Sequence, residues 1–380
     1  MLLKKYALSI VLLGLVFTSC RKDDVPTIEK ENRNTVLMVL IGDNSLSGYL
    51  NQDMDNVVNN MDPAYLKDNT FLIYIDTHQN GNRPATPQLL EIIPDADGKS
   101  TTQVLIDFPE QNSADTAVLA YLFDIMRQDY PADQYGLIMG SHADAWLPSD
   151  ANFNSRAIGQ DGNNWIEMDE LAEVIPSDFF EYIIFDACFM ASVEVSYALR
   201  DKTEYILGAP TEMWANGFPY EQFGPCFVGK NIDYNTFCDA LYNKYVNGDG
   251  MTISLIRTTR MNDLTRLARQ VLYGKEAQIL ANGTTGLQKF GRSGTVKKYG
   301  DMFFDLGDFI KKYASVAQYQ EFEALMAQIV PYYRYTPTAF YFKINSYSGL
   351  SVYVPQTRYP FINDYYNTVE WAQAVYQDQD

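Results

Sequence analysis

The sequence predicts an α/β fold: a mostly parallel sheet with helices on both faces, followed by a C-terminal α+β extension. Three observations carry this. First, "NTVLMVLIG" (34–42), "TFLIYIDTH" (70–78), "YGLIMGSH" (135–142) and "EYIIFDAC" (181–188) are short continuous apolar runs of strand length. Second, amphipathic stretches separate them, as in parallel sheets covered on both sides. Third, His142 and Cys188 sit just past the ends of two such runs. Ligands of open α/β sheets bind beyond the carboxyl ends of the strands.

The elements follow in order. "SGYLNQDMDNVVNNM" after the first strand has helical spacing, and "PQLLEIIP" with "TTQVLIDFP" predicts a strand pair around a Gly/Asp turn. Residues Ser113–Tyr130 open on a Ser or Asp cap and continue as an amphipathic helix. A polar loop follows "YGLIMGSH", then the short helix "EMDELAEVI", the strand "EYIIFDAC", the helix "MASVEVSYALR" and the strand "EYILGAP". Beyond Tyr220 the pattern loosens: "MTISLIRT" is a strand, "RMNDLTRLARQVLYG" a helix and "GTTGLQKFGRSGTVKKYG" a loop. "MFFDLGDFIKKYA" resumes a helix, and "TAFYFKINSYSGLSVYVP" predicts a hairpin turned at Ser346–Gly349. The expected division is a targeting segment (1–20), a tether (21–34), a sheet domain (35–250) and a region completing or packing on the sheet (251–380).

The start, "MLLKKYALSIVLLGLVFTSC", has a basic opening, an apolar stretch from Tyr6 to Phe17 and small residues before Cys20. It resembles a bacterial lipoprotein signal, which implies lipidation of Cys20, extracytoplasmic location and anchoring to an outer membrane. The formal net charge is −19, or −21 without Lys4 and Lys5. Such a surface repels nucleic acid and attracts basic peptides. Apart from Cys20 the cysteines are Cys188, Cys226 and Cys238, an odd number at irregular spacing that forms no disulfide framework. Cys226 and Cys238 lie among aromatics and read as packing thiols. There is no P-loop, GxGxxG, CxxC or HExxH, and no zinc site or other metal centre is expected.

Taken singly, Cys188 reads as a buried thiol and His142 as a loop histidine. Together they form a pattern of strand, histidine, loop, strand, Asp-x-Cys and helix within one sheet. A thiolate nucleophile needs a nearby imidazole and a partly open polar site, and backbone N–H groups must meet the charge that builds on the attacked carbonyl. A strand-to-helix turn at Cys188 is expected to leave helix N-terminal amides near the sulfur. The other histidine, His78, has no nucleophile-bearing strand beside it. It reads as an exposed loop residue.

"YGLIMGSHADAW" and "YIIFDACFMASVEVSYALRDKTEYILGAPTEMWANGFPY" resemble the clostripain family of cysteine peptidases, which share the caspase-like fold with legumain and gingipain. "GDNSL" (Gly42–Leu46), "DLGDF" (Asp305–Phe309) and "YSGLSVYVP" (Tyr347–Pro355) fit as well. The resemblance implies Cys188 as nucleophile, His142 as its dyad partner and an oxyanion hole from the N–H groups of Ala143 and Cys188. Ala143 stands where the family has glycine, and its methyl forbids dihedrals that only glycine tolerates.

The resemblance also implies cleavage after Arg or Lys in an acidic pocket. Asp186 is the main candidate acid, Glu212 a second and Trp214 an aromatic wall. For Asp186 the alternative is a helix cap, and for Glu212 a solvated loop charge. Some relatives process themselves between the histidine and the cysteine, where Arg156 is the only basic residue. Some respond to calcium, but "DANFNSRAIGQD" (150–161) imitates a calcium loop only loosely and reads as a polar surface loop. Asp43 and Asn44 read as turn formers. The expectation is a monomeric peptidase acting on protein or peptide, with no required cofactor. A surface binding module that kept the fold and lost turnover is the alternative. A glycan hydrolase comes last, because no carboxylate pair stands out.

Overall fold

Every residue of the first strand, Asn34–Gly42 (β1), is buried, because its side chains alternate between two covered faces. Leu37, Val39 and Ile41 pack with the helices Thr116–Asp129 (α2), Met168–Val174 (α3), Val193–Ala198 (α4) and Met261–Leu272 (α6). Val36, Met38 and Leu40 pack on the opposite face with Ser47–Asn60 (α1) and Tyr234–Tyr245 (α5). The structure, a computed structural model, describes residues 33–378 apart from 79, 82, 150–156, 229–230, 292–301 and 341. Cys20, Arg156 and most of the calcium-like loop lie outside the described residues.

The sheet also contains Asn69–Thr77 (β2), Gln88–Pro94 (β3), Ser100–Asp107 (β4), Gln134–Gly140 (β5), Phe180–Asp186 (β6), Thr203–Gly208 (β7), Thr252–Arg257 (β8) and Tyr332–Tyr335 (β9). Their order is β9-β8-β7-β6-β5-β1-β2-β3-β4. The central five, β7 to β2, run parallel. Antiparallel pairs close each edge. β8 and β9, from the region after Tyr220, therefore extend the same sheet. The α2 helix begins on the expected cap, with the Asp115 side chain accepting from the Ala117 N–H.

The expectation for the C-terminal hairpin fails. No hairpin turns at Ser346–Gly349. The short antiparallel pair is Thr338–Ala339 with Phe342–Lys343, and Ser351–Tyr353 pairs instead with Phe303–Asp305. The cause is Asp305, whose Oδ2 accepts from both the N–H and the hydroxyl of Ser348 and so docks that turn on a distant segment. Among the described residues no helix is long and apolar enough to cross a membrane.

Candidate active site

In parallel strands, neighbours in register end side by side. Gly140 of β5 pairs with Asp186 of β6, and the Ser141 N–H reaches the Asp186 carbonyl at 3.4 Å. His142 and Cys188 each lie two residues beyond that paired rung, so the two loops that carry them leave adjacent strand tips. Both residues are half-buried.

The histidine loop is tied down by serine. Ser141 Oγ donates to the Ile41 carbonyl at 2.7 Å and accepts from the Gln160 N–H at 2.9 Å. The Gly159 N–H donates to the His142 carbonyl and the Asp144 N–H to the Ala157 carbonyl, both at 3.1 Å. His142 Nε2 lies 2.9 Å from Ser45 Oγ. Among the described residues, left-handed non-glycine backbone occurs at Ala145, Asp178, Phe189 and Phe340, not at Ala143. The Ala143 methyl is buried within the apolar core. Alanine is therefore unstrained here, and the family's glycine is not a backbone requirement of this loop.

The cysteine loop differs from expectation. The helix α4 starts only at Val193, five residues after Cys188, capped by Ser192 Oγ accepting from the Val195 N–H, so the chain does not turn directly from strand to helix at the cysteine. Instead the Met213 N–H lies 3.2 Å from Cys188 Sγ. Phe189 adopts φ 62°, a left-handed conformation that costs a non-glycine residue about 1–2 kcal/mol. Its N–H donates to the Thr211 carbonyl at 2.8 Å, and its ring stacks on Phe303 with centroids 4.3 Å apart. These contacts hold the sharp turn that presents the sulfur.

The surroundings of the thiol are acidic. Burial pushes Cys188 up to about 12; the Met213 N–H opposes this, while Glu212, Asp144 and Asp186 add to it. Burial and the nearby acids thus favour the protonated thiol in the free protein. Glu212 and Trp214 are half-buried, and the indole N–H of Trp214 donates to the Gly250 carbonyl at 2.8 Å while the ring stacks on Phe340.

Asp186 is buried and does not cap α4. Its Oδ2 accepts from the Phe218 N–H at 3.2 Å and the Tyr220 hydroxyl at 2.9 Å. Asp53 of α1 faces it. Burial, then the Asp186 charge, pushes Asp53 up to about 9, with Lys244 opposing. Burial also pushes Asp186 up, to about 6, against the Tyr220 and Phe218 hydrogen bonds and Lys244. Gly217 covers the pair in left-handed backbone (φ 52°), and a Cβ there would sit 2.4 Å from Asp186 Oδ2. No other residue fits. Lys244 Nζ donates to the carbonyls of Asn216, Gly217 and Phe218 and pins this loop.

Sequence reasoning had not singled out Ser45, Asp53, Asp144 or Met213. Ser45, Asp144 and Met213 stand inside quoted motifs; Asp53 lies in a quoted helical stretch with nothing local to single it out. Cys226 and Cys238 are buried packing thiols as expected. Asn44 forms the turn expected of it, its Oδ1 accepting from the Leu46 N–H at 2.8 Å. Asp161 is buried, accepting from the Ser113 N–H. No cluster of three His, Cys, Asp or Glu suited to a metal occurs among the described residues. A cavity of about 450 Å³ between α3 and α4, lined by Trp146, Glu194, Arg200 and Tyr365 among others, lies apart from the thiol.

A model of the clostripain family (peptidase C11) matches residues 38–380. Clostripain of Hathewaya histolytica is 24% identical over 237 residues, 51% of this chain and 42% of that protein, so the match spans less than half of that relative's length. An X-ray structure of an inactive zymogen C11 protease from Parabacteroides distasonis superposes with a TM-score of 0.81. It is 32% identical and covers 92% of this chain and 100% of that one. A secreted C11 cysteine protease from Bacteroides thetaiotaomicron, in complex with an irreversible peptide inhibitor, shares the fold at 24% identity. Its TM-score is 0.77, covering 90% of this chain and 99% of that one.

Proposed function

Because the chain belongs to the clostripain family, we propose that it is a cysteine endopeptidase with Cys188 as nucleophile and His142 as general acid–base. The observation that carries this reading is the β5–β6 register, which sends thiol and imidazole out of neighbouring strand tips. As Cys188 Sγ bonds to the peptide carbonyl carbon, His142 takes the thiol proton. The charge on the carbonyl oxygen is met by the N–H groups of Ala143 and Cys188. None of the backbone hydrogen bonds among the described residues uses the Ala143 N–H. The C–N bond then breaks while His142 returns its proton to the leaving amine. Water, deprotonated by His142, attacks the thioester; the C–S bond breaks and the thiol is restored.

A side chain of Arg or Lys before the cleaved bond suits this site. Glu212, Asp144 and Asp186 all hold the thiol pKa up, so a cation entering among them lowers the cost of making the thiolate. Glu212 forms the acidic wall, Trp214 the aromatic one, and Asp186 lies beneath. Cleavage after Arg156 would precede full activity, which similarity to a chain described as an inactive zymogen supports. Lipidation at Cys20 would hold the peptidase, a monomer, at an extracytoplasmic membrane face. Its substrate is protein or peptide; the steps above require no cofactor, and a calcium requirement is the alternative that chelation reads.

Fluorogenic peptides ending in Arg, Lys or Ala, assayed on wild type and Cys188→Ala with and without chelator, test this. Hydrolysis of the basic peptides by wild type alone is expected. Equal signals from both proteins would overturn the reading, and an intact chain in an active preparation would rule out obligatory processing at Arg156.

A further inference from the structure

We propose that Ser45, in the "GDNSL" loop between β1 and α1, is a positioning residue that fixes the ring of His142; this rests on His142 being the acid–base. Ser45 Oγ lies 2.9 Å from His142 Nε2. The turn that presents Ser45 is clamped. Buried Asn44 donates through Nδ2 to the carbonyls of Ile41 (3.2 Å) and Gln160 (2.7 Å), and its own carbonyl accepts from the Ser47 N–H at 3.2 Å. Ile41 and Gln160 are also the residues that hold Ser141, the neighbour of His142. Ser45 and the histidine loop are thus braced on one frame, so their separation is set by backbone and not by two loose side chains.

An imidazole has two distinct nitrogens, and a hydrogen bond at one decides which of them exchanges the proton. A hydroxyl oxygen can accept from Nε2–H in the neutral ring and in the imidazolium alike, so this contact persists through the proton cycle. The hydroxyl could equally donate to an unprotonated Nε2, so the contact fixes the ring in either tautomer; the proposed role takes the Nε2–H form, which leaves Nδ1 to exchange the proton. Ser45 is exposed, so water can take its hydroxyl proton when its oxygen accepts from Nε2–H.

The chain has two histidines, so ¹⁵N-histidine spectra resolve them, with His78→Asn assigning the second. In Cys188→Ala protein, which cannot turn over, His142 is expected as the Nε2–H tautomer. Adding Ser45→Ala should shift it toward a mixture, while Ser45→Thr keeps it and His78 stays unchanged. In the otherwise wild-type enzyme, Ser45→Ala should lower kcat about tenfold with KM little altered, and Ser45→Thr should restore it. An unchanged His142 tautomer in Ser45→Ala, or equal kcat in both variants and wild type, overturns the proposal. If no protein hydrolyses peptide, the parent reading has failed, and the tautomer spectra alone decide whether Ser45 holds the ring.

Discussion

His142 and His78 follow parallel strands at the same edge of one sheet, yet their surroundings differ. His78, after β2, is exposed and pairs with Asp43 at 2.6 Å. Next to it, Asp43 and Asn44 follow the end of β1 at Gly42, and Asp76 is held by the Ser113 hydroxyl at 2.6 Å. His142, after β5, is half-buried, held by Ser45, and in register with the strand that delivers Cys188. The comparison teaches that what the neighbouring strand brings separates the proposed site from a surface contact between an imidazole and an acid.

The comparison is broken or sharpened by substitution. Cys188→Ala and His142→Ala should each lower kcat/KM on an Arg peptide by at least about 10³-fold, because in the proposed mechanism the two residues act as a unit. Steady-state kinetics check this, and substantial turnover by His142→Ala would remove the distinction between the two histidines. Glu212→Gln should lower kcat/KM for Arg and Lys peptides by about 10–100-fold while an Ala-ending peptide changes little. A uniform loss across peptides would take Glu212 out of the pocket.

Asp53 should show in stability. Its folded-state pKa lies above the unfolded 3.8, so the folded state binds the proton more tightly. The contribution is complete below about pH 4 and is lost as pH rises toward about 9, at up to about 1.4 kcal/mol per pH unit. Urea unfolding at pH 5 and pH 8 should show this decline in wild type and a flatter one in Asp53→Asn. Last and smallest, His78→Ala should leave kcat/KM within about twofold and stability within about 0.5 kcal/mol, as for other exposed ion pairs.

The central strands were legible because strands buried on both faces are apolar through their middles, as β1 is from Val36 to Ile41 and β2 from Phe71 to Ile75. The family was legible through "DACFMASVEVSYAL", and its model and the solved relatives bear that out together with the fold. The Ser346–Gly349 hairpin misled because local turn chemistry could not reveal that Ser348 is claimed by Asp305, 43 residues earlier. Ala143 looked strained only while its dihedral was taken from glycine. Asp53 was invisible because an acid on an amphipathic helix reads as a solvated face until the fold brings Asp186 and Gly217 against it. Ser45 was in view within a motif, but a hydroxyl gains a role only when the imidazole 97 residues away arrives beside it.

The acidic, partly buried surroundings that favour a protonated Cys188 have a consequence for durability. Peroxide, disulfides and alkylating reagents react with thiolates, so a thiol kept protonated until a peptide arrives is a slow target for all three. The resting protein should therefore withstand air and stray oxidants that would quickly silence a cysteine enzyme whose sulfur waits already ionised.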